Sequence, residues 1–441
     1  MNPREAHQYT PLLERIAGRV WDKSRFFAVV PCTYYLGHLF WELIMAVAIA
    51  RESGRSLVLL KPGHLKEFVV VNEEVFDCEL NCKTERKSFH SLLMKALSFY
   101  ERVRKPFAGF VVKSARRARL TRRPVPGFRF HRCGIETSNF VLAKIKGTRN
   151  YFDLSLLPES EPSLKLTMTQ RERAERMLSG SDFDATKWFA AVHVRESGFR
   201  GFDVNHDVRN FSQNALLPIL KEVTQQGGFV VRMGTKEQTN IPRTPGIFDY
   251  ASSKARCSLV DLYVMEKCRF YVGSSAGPLA MAYAFGKPAF VVNYFDFLTA
   301  GFRKTDMFIP KMPYSTREQR FLSIAEYCER ATSVWDAKEF WFVENRLEDI
   351  EEAFVGFLEF AAKGFLLDHE DQEIYREWIA IRTRALERII CQSTDNFLDE
   401  KFKDTAISTL SAPAILAPCY LRKYLFNSSG VHTTPQILER G

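Results

Sequence analysis

The sequence, 441 residues long, lacks a hydrophobic run long enough to span a membrane. Its two most apolar windows are residues 40–50, interrupted by a glutamate, and residues 271–292, interrupted by glycines, prolines and a lysine. A transmembrane helix needs about 20 consecutive apolar residues. The stretch Met1–His7 carries both charge signs and no apolar core, unlike a secretory signal. We expect a cytoplasmic protein, either free or peripheral on the inner face of the cytoplasmic membrane.

Cysteine is scarce, with nine residues scattered from Cys32 to Cys419. Disulfide-rich secreted domains have dense, even-numbered cysteines, and zinc sites need clustered Cys or His ligands at fixed offsets. Cys78 and Cys82 are the one close pair in this chain. The sequence therefore predicts reduced thiols in a reducing compartment.

Two common catalytic motifs are also missing, the metalloprotease motif HExxH and the phosphate-binding P-loop. Asp182-Phe183-Asp184 has the letters of a D-x-D metal-binding element. It precedes a predicted strand, where we expect it to cap or kink the chain. The chemistry is therefore expected to use no metal and no cofactor.

Positive charge is present in excess, with 62 Lys and Arg against 52 Asp and Glu and a net charge of +10. The segment Arg102–Arg132 contains eleven of these bases and no acid. Such a block attracts polyanions or serves as a solvated surface. Because no nucleic-acid-reading module is visible, nucleic acid is not expected as a partner. Among polyanions, an anionic membrane surface or an acidic acceptor remains as the expected partner of this segment.

The first part of the chain has the pattern of a strand, a helix and a second strand, at Phe26–Pro31, Leu39–Arg51 and Ser56–Leu60. This βαβ order predicts a parallel sheet. Three further elements are predicted more weakly, a strand at Phe68–Val71, a helix at Ser88–Arg104 and a strand at Phe107–Val112.

A second α/β series follows a linker predicted at Leu154–Leu166, which is rich in Pro, Ser and Glu. Its predicted strands are Trp188–Val194, Phe229–Met233, Arg269–Gly273 and Pro288–Val292, and its predicted helices are Thr167–Leu178, Asn214–Thr224, Leu259–Cys268 and Pro278–Phe285. The pattern becomes helical from about Leu347 onward, with a long charged helix at Gln372–Ile390. We therefore expect three parts, residues 1–166, 167–345 and 346–441.

The first group of candidate binding residues is His193-Val194-Arg195-Glu196-Ser197-Gly198. It follows a buried strand, and open parallel sheets bind ligands at the carboxyl ends of their strands. Arg195 offers a planar fork that matches a phosphate, and Gly198 allows a close approach of backbone N–H groups. Arg209 adds a further polar group downstream. The rival interpretation is that Arg195 makes an ordinary salt bridge.

The second group is the loop Gly273–Pro278, where Ser274, Ser275 and Gly277 join a strand to a helix. Backbone N–H groups at a helix start favour an anion. Further candidates in the same domain follow other predicted strands: Arg232, Gly234, Asp249, Tyr250, Lys304 and Lys311. Because several strand ends carry ligand-like groups, a nucleoside diphosphate is the expected occupant.

His38 is the candidate general base of the first domain. It is predicted on the loop after the first strand, and the pKa of a histidine lies near neutral pH. Glu42, one helical turn further on, could orient it. The rival interpretation is a structural hydrogen bond at a helix start.

Taken as a set, these motifs resemble a family of bacterial glycosyltransferases associated with surface-polysaccharide synthesis. The similarity runs from about Thr167 to Pro313 and includes His193–Phe199, Val231–Gly234, Asp249–Ala251 and Cys268–Gly273. More distantly, His193-x-Arg195 is similar to the donor-site motif of the fucosyltransferase superfamily. This resemblance implies that Arg195 contacts the donor diphosphate.

The resemblance also implies a GT-B fold, in which two Rossmann-like doubly wound domains face each other across a cleft. The first domain would hold the acceptor and the second the nucleotide-sugar donor, with a helical C-terminal extension. The sequence has Glu196-Ser197-Gly198 where fucosyltransferases usually have a further Arg or Ser before Gly-Asp. Fucose is therefore not implied as the donor sugar.

The expected function is metal-independent transfer of a sugar from a nucleotide-sugar donor to a bacterial surface glycan or a lipid-linked acceptor. His38 and Arg195 would be the catalytic residues. Two alternatives stay open. One is a GT-B enzyme that resembles a polysaccharide pyruvyltransferase or an epimerase, and the other is a non-enzymatic basic protein that binds polyanions.

Neutralising Arg116, Arg117, Arg122 and Arg123 with glutamine should weaken association with anionic lipid vesicles in a sedimentation assay. Each arginine near a charged bilayer contributes about 1 kcal/mol of attraction. Nucleotide binding should stay unchanged. An equal loss of both would show that the basic segment belongs to the donor site or to the fold.

Overall fold

The protein divides into two compact units. The first includes the described residues up to Phe76 and residues 80–84, and the second includes Asp77–Glu79 and all described residues from Glu161 onward. The computed structural model describes residues 26–29, 36–52, 54, 56–59, 72–84, 161–196, 208–235, 238, 244–295, 298, 303–332, 339–364, 367–392 and 415–428.

The first unit contains the expected βαβ motif, formed by β1 (Phe26–Val29), α1 (Leu36–Glu52) and β2 (Ser56–Leu59). The two strands pair in parallel, with Phe26 opposite Ser56. Helix α1 is apolar and buried on nearly all of its sides, and the consecutive residues 42–47 are all buried. A helix that is hydrophobic all round is an interior helix, so α1 belongs to the core of its unit.

Helix α1 begins three residues earlier than expected, so Gly37 and His38 lie in its first turn. The prediction that they occupy a loop is wrong. Leu36 extends the apolar helical spacing of Leu39 and Phe40, and a single glycine costs a helix about 1 kcal/mol, which packing can offset.

The second unit contains most of the described secondary structure. A 3-10 turn (Glu73–Asp77) and the short strand β3 (Glu79–Leu80) lie at the division between the units. The later strands are β4 (Leu164–Lys165), β5 (Phe189–His193), β6 (Phe229–Arg232), β7 (Ile247–Phe248), β8 (Phe270–Gly273), β9 (Ala289–Tyr294), β10 (Met307–Pro310), β11 (Met312–Ser315), β12 (Arg320–Phe321), β13 (Phe340–Val343) and β14 (Ile415–Leu416).

The expected helices of this unit are present, and two further helices, at Ile324–Arg330 and Pro418–Tyr424, were not predicted. Residues Gln213–Leu216 form a 3-10 turn because Pro218 starts the following α-helix. The α-helices are α2 (Met168–Leu178), α3 (Leu217–Gln225), α4 (Ser258–Lys267), α5 (Gly277–Ala284), α6 (Ile324–Arg330), α7 (Leu347–Lys363), α8 (His369–Gln392) and α9 (Pro418–Tyr424).

A seven-stranded sheet in the order β14-β10-β9-β8-β5-β6-β7 is the centre of the second unit. Every pairing in it is parallel. The chain runs outward from β5 to β6 and β7, then returns to place β8 on the other side of β5. The expected α/β class with a doubly wound parallel sheet is confirmed, and its topological switch point lies between β5 and β8.

The central strands are apolar without alternation because both faces of the sheet are covered. All residues of β8 and β9 are buried. On one face, Phe354 and Phe357 of α7 pack against Phe270 of β8 and Phe290 of β9. The four ring-centroid distances lie between 5.4 and 5.9 Å. Helix α7 therefore belongs to the core of this unit.

The structure differs from the prediction at the linker and at several strands, since β7 and β10–β14 were not predicted. Leu164 and Leu166 are fully buried on either side of Lys165, so residues 164–166 are not part of a linker. Strand β14, which the sequence pattern did not predict, extends the main sheet at its edge next to β10. A two-residue strand is too short for its periodicity to be recognised.

Several expectations fall outside the described residues. These are the elements predicted at 68–71, 88–104 and 107–112 and the basic segment 102–132. None of the seven cysteines within the described part forms a disulfide. None of the helices in the described ranges is long and apolar enough to cross a membrane.

The packing of α7 can be tested with Phe357→Ala. Removal of a buried aromatic ring should lower the free energy of unfolding by about 3–5 kcal/mol in a denaturant titration. Val355→Ala, on the same helix at a side chain that is 37% exposed, should change it by less than about 0.5 kcal/mol. Equal effects would contradict the packing of α7 on the sheet.

Candidate functional site

The two groups of candidate residues meet at the switch point of the main sheet. His193, the last residue of β5, is paired with Gly273, the last residue of β8. The backbone N–H of Ser274 donates to the His193 carbonyl oxygen at 3.2 Å. A Cβ on Gly273 would lie 2.2 Å from the same oxygen, so no other residue fits there. The two groups of candidate residues thus lie together at one edge of the sheet.

His193 is a neutral group at this edge. Burial, followed by the nearby positive charges of Arg195 and Arg232, lowers the pKa of its imidazole to about 4. Its Nδ1 atom is buried and has no hydrogen-bond partner among the described residues. At neutral pH His193 can orient a ligand by hydrogen bonding, but it adds no positive charge.

Arg232, at the end of β6, is a buried cation with one unused nitrogen. Its side chain is about 3% exposed, and its Nε donates to Asp249 Oδ1 at 2.7 Å. Its Nη2 is 2.7 Å from the same carboxylate oxygen and 3.5 Å from Ser252 Oγ. Nη1 is buried without a partner in the described part of the chain. A buried N–H donor without an acceptor lowers the stability of the folded protein, and an anionic ligand would supply the missing acceptor.

Arg195 is held by a short chain of hydrogen bonds. Its Nε donates to Asn210 Oδ1 at 3.1 Å. The backbone oxygen of Asn210 accepts a hydrogen bond from Lys311 Nζ at 2.6 Å. Lys311 is only 4% exposed, and this burial lowers its pKa to about 8 although Glu344 opposes the shift. Lys311 therefore supports the segment that orients Arg195.

Two further contacts fix the segment of residues 208–213. Gln213 Nε2 donates to Glu196 Oε1 at 2.8 Å. The backbone N–H of Ser212 lies 3.1 and 3.0 Å from the two carboxylate oxygens of Glu344. Glu196 thus joins the end of β5 to this segment.

Gly234 closes the turn after β6. Its φ of 144° lies in the region that favours glycine, and a Cβ there would lie 1.8 Å from Gln238 Oε1. Gln238 Nε2 donates to the Val194 carbonyl oxygen at 2.7 Å. This glutamine, which sequence analysis missed, ties the end of β6 to the end of β5.

The loop after β8 presents backbone donors without a side-chain cap. Helix α5 begins at Gly277, and its N-cap residue, Ala276, has no side-chain oxygen that could accept from the first N–H groups. Ser274 Oγ is buried and has no described partner, while Ser275 and Gly277 are half-buried. Such a helix start favours an anion.

Residues Gly273–Gly277 also match the G-x-S-x-G pattern of hydrolases, in which the central serine is held in a strained turn. Among the described non-glycine residues, only Asn293 and Gln319 have a positive φ. Ser275 is therefore not held in a left-handed strained conformation. The loop matches an anion-binding turn better than a nucleophile elbow.

Asp249 and Tyr250 differ in the roles that their side chains can take. Asp249 reaches this edge as the partner of Arg232. Tyr250 is fully buried, and its hydroxyl donates to Asp261 Oδ1 at 2.7 Å and accepts from the Cys257 N–H at 3.1 Å. The pKa of the Tyr250 hydroxyl is raised by burial and by Asp261. These contacts give Tyr250 a role in the packing of α4.

The remaining candidate residues lie away from this edge or outside the described residues. Lys304 is exposed and precedes β10, so it lies at the amino edge of the sheet and not at the carboxyl end that its position after a predicted strand implied. Arg209 is half-buried next to Asn210. Gly198 is outside the described residues, as is the side chain of His38.

Asn293, near the end of β9, is a residue that sequence analysis missed. It is buried at a φ of 55°, and its Oδ1 accepts from the N–H of Asn345 at 2.8 Å and from Asn345 Nδ2 at 2.9 Å. Tyr420 donates to Asn345 Oδ1 at 2.6 Å. An asparagine within the apolar run of a buried strand was the available sequence signal.

Comparison with known proteins gave no matching family model and no matching curated protein. One similar solved structure is a family 9 glycosyl transferase from Veillonella parvula, with 12% identity, 60% of this chain and 79% of that chain covered, and a TM-score of 0.33. ADP-heptose lps heptosyltransferase II from E. coli shows 12% identity, coverages of 76% and 99%, and a TM-score of 0.35. The fucosyltransferase NodZ from Bradyrhizobium shows 14% identity, coverages of 60% and 94%, and a TM-score of 0.28. Scores this low assign no function.

The burial of Lys311 should make stability depend on pH. Its pKa is about 8 in the folded protein against an ordinary 10.5. The unfolded chain therefore binds more protons between these values, and stability rises with pH. Between about pH 7 and about pH 10, the free energy of unfolding should rise by about 2 kcal/mol relative to Lys311→Met. Denaturant titrations of both proteins measure this difference.

The exposed Lys304 provides the control, since Lys304→Met should follow the pH profile of the unchanged protein. If Lys311→Met also followed that profile, Lys311 would be solvated and the contact with Asn210 would be contradicted.

Proposed function

We propose that the protein is a glycosyltransferase that moves a sugar from a nucleotide-sugar donor to a bacterial surface glycan or a lipid-linked acceptor. The donor diphosphate would bind at the carboxyl edge of the main sheet, between β5 and β8. The reaction would need no metal, because cationic side chains and backbone N–H groups of this edge would neutralise the diphosphate.

The convergence of anion-seeking groups on one switch point is the observation that carries this proposal. Arg195 follows β5, Arg232 ends β6, and the uncapped start of α5 follows β8. Two donors of this edge, Arg232 Nη1 and Ser274 Oγ, are buried and lack partners among the described residues. A diphosphate would satisfy both donors at the place where open α/β sheets bind their ligands.

The proposed role of Arg195 follows from the negative charge that develops during sugar transfer. When the bond between the sugar and the diphosphate breaks, negative charge builds up on the departing phosphate oxygens. Preorganised cations and N–H donors stabilise that charge more in the transition state than in the ground state. Arg195 would supply this stabilisation, and Asn210 and Lys311 would keep it oriented.

The neutral state of His193 is consistent with this role. A third positive charge beside Arg195 and Arg232 would cost repulsion, and the lowered pKa of His193 avoids it. His193 would then hydrogen-bond to the donor. His38, in the first turn of α1, is our proposed base for the proton of the acceptor hydroxyl.

The sequence resemblance supports sugar transfer over other diphosphate chemistry. It runs through the segments His193–Phe199, Val231–Gly234 and Cys268–Gly273, and their described residues 193–196, 231–234 and 273 lie at the candidate edge. In the proposed GT-B arrangement, the first unit would hold the acceptor and the second the donor. The donor sugar and its nucleotide are left open.

Arg195→Ala should reduce the stabilisation of the protein by nucleoside diphosphates to about half or less in a thermal-shift screen with UDP, GDP, ADP, CDP and dTDP. A ligand at 100 times its dissociation constant stabilises the native state by about 2.7 kcal/mol. Loss of the Arg195 guanidinium should weaken binding at least about tenfold, since charge-assisted hydrogen bonds to phosphate are strong. Sugar transfer from the matching nucleotide sugar should be lost as well.

Arg376→Ala, at an exposed arginine of α8, is the matched control and should bind and transfer normally. Arg195→Lys keeps the charge but not the planar fork, and should show intermediate binding. Full transfer by Arg195→Ala, or stabilisation by no nucleotide in the unchanged protein, would refute the proposal.

A further inference from the structure

A small antiparallel sheet of the second unit, in the order β12-β11-β13, has one covered face. On that face Phe340 and Phe342 of β13 contact Tyr327 of α6, with ring centroids 5.1 and 5.6 Å apart. Phe340 and Tyr327 are buried. These rings form an ordinary core between the sheet and α6.

The opposite face carries a row of three aromatic side chains that crosses all three strands. Tyr314 of β11 is paired with Phe321 of β12 on one side and with Trp341 of β13 on the other. Directly paired residues point to the same face. The Tyr314 ring lies 5.3 Å from Phe321 at 80° and 6.2 Å from Trp341 at 21°. We call Phe321, Tyr314 and Trp341 the aromatic row.

The aromatic row ends on an accessible indole. Trp341 lies on an edge strand of the small sheet and is 40% exposed, while Tyr314 and Phe321 are half-buried. Its ring is nearly parallel to that of Tyr314, so one face of the indole is stacked and the other is turned away from the row. An exposed large aromatic ring backed by further rings is a feature of binding surfaces.

Charged groups border the aromatic row, so its apolar surface is only one side chain wide. At the β12 end, Arg320 forms ion pairs with Glu318 and Glu326. At β13, Glu339 and Glu344 flank the strand and are exposed. A stable protein interface buries about 800 Å² on each partner around a dry centre. A row one side chain wide between charges suits a smaller ligand.

The aromatic row is continuous with the candidate donor edge. Strand β11 begins at Met312, directly after Lys311, and Met312 is paired with Val343 of β13. The carboxylate of Glu344, the next residue, binds the Ser212 N–H. Trp341 lies two strand residues from Val343, which is about 7 Å. A ligand on Trp341 would therefore lie within the reach of a short oligosaccharide from that edge.

We propose that the aromatic row is a binding site for an outlying sugar ring of the acceptor glycan, additional to the acceptor contacts proposed for the first unit. A pyranose has an apolar face of C–H groups, which would stack on the open face of Trp341. It also has a rim of hydroxyls, which can donate hydrogen bonds to the exposed carboxylate of Glu339, two residues before Trp341. The proposal rests on the proposed function, because it assigns the ligand of this surface as the acceptor of the same transfer.

The test is binding of the full chain to an array of immobilised oligosaccharides from bacterial cell envelopes, with GDP and UDP thermal shifts measured in parallel. The unchanged protein should bind at least one glycan of the array. Trp341→Ala should weaken that binding at least about tenfold, and Trp341→Phe should retain part of it because a ring remains to stack. Phe426→Ala, at another exposed aromatic residue, is the control and should bind normally.

Glycan binding that survives Trp341→Ala, or an absence of any glycan binding in the unchanged protein, would overturn the proposal. A change of oligomeric state caused by Trp341→Ala would also overturn it, since the row would then be an interface between copies of the chain. Nucleotide stabilisation without glycan binding contradicts the aromatic row alone. Glycan binding through Trp341 without nucleotide stabilisation contradicts the donor site.

Discussion

The pairing of β5 with β8 is the constraint on which the candidate site depends. These strands are neighbours because the chain first runs outward through β6 and β7 and then returns to the opposite side of β5. The helices that follow them therefore diverge to opposite directions along the sheet and leave a crevice at the carboxyl ends. The lack of a side chain at Gly273 permits the close contact with the His193 backbone. The loops after both strands converge there as a result.

Around that crevice, burial and charge determine which groups are left for a ligand. Arg232 is neutralised in part by Asp249 and still retains a buried donor without a partner. His193 stays neutral beside the arginines, and Lys311 is buried behind Asn210. An anion in the crevice would complete this arrangement, because it would balance the charge and satisfy the buried donors. The small sheet that follows Lys311 extends the same edge with an aromatic surface.

Much of this fold could be predicted from local patterns. The apolar runs at β5, β8 and β9 and the helices between them follow directly from periodicity. The residues that directly follow these strands were correctly predicted to lie at the carboxyl edge of the sheet, because the carboxyl ends of parallel strands meet at one edge. The order of strands in the sheet is set by tertiary packing, so the direct pairing of His193 with Gly273 could not be derived from the chain order.

Long-range contacts explain what the sequence did not reveal. Lys311 and Asn210 lie about 100 residues apart, and nothing local shows that the lysine is buried against a backbone oxygen. Tyr250 had a polar group in a suitable place in the sequence, but its hydroxyl faces Asp261. Strand β14 is too short to show a period and forms because β10 offers an open edge.

Hydrogen–deuterium exchange of the full chain with and without a stabilising nucleoside diphosphate would show whether a diphosphate binds at the switch point. Backbone amides at His193–Glu196, Met233–Gly234 and Ser274–Gly277 should exchange more slowly with the nucleotide, because these three loops would surround the diphosphate. The segments at the amino edge of the sheet, such as Lys287–Ala289, should exchange at unchanged rates. Protection confined to the amino edge, or none at the three loops, would contradict a ligand site at the switch point.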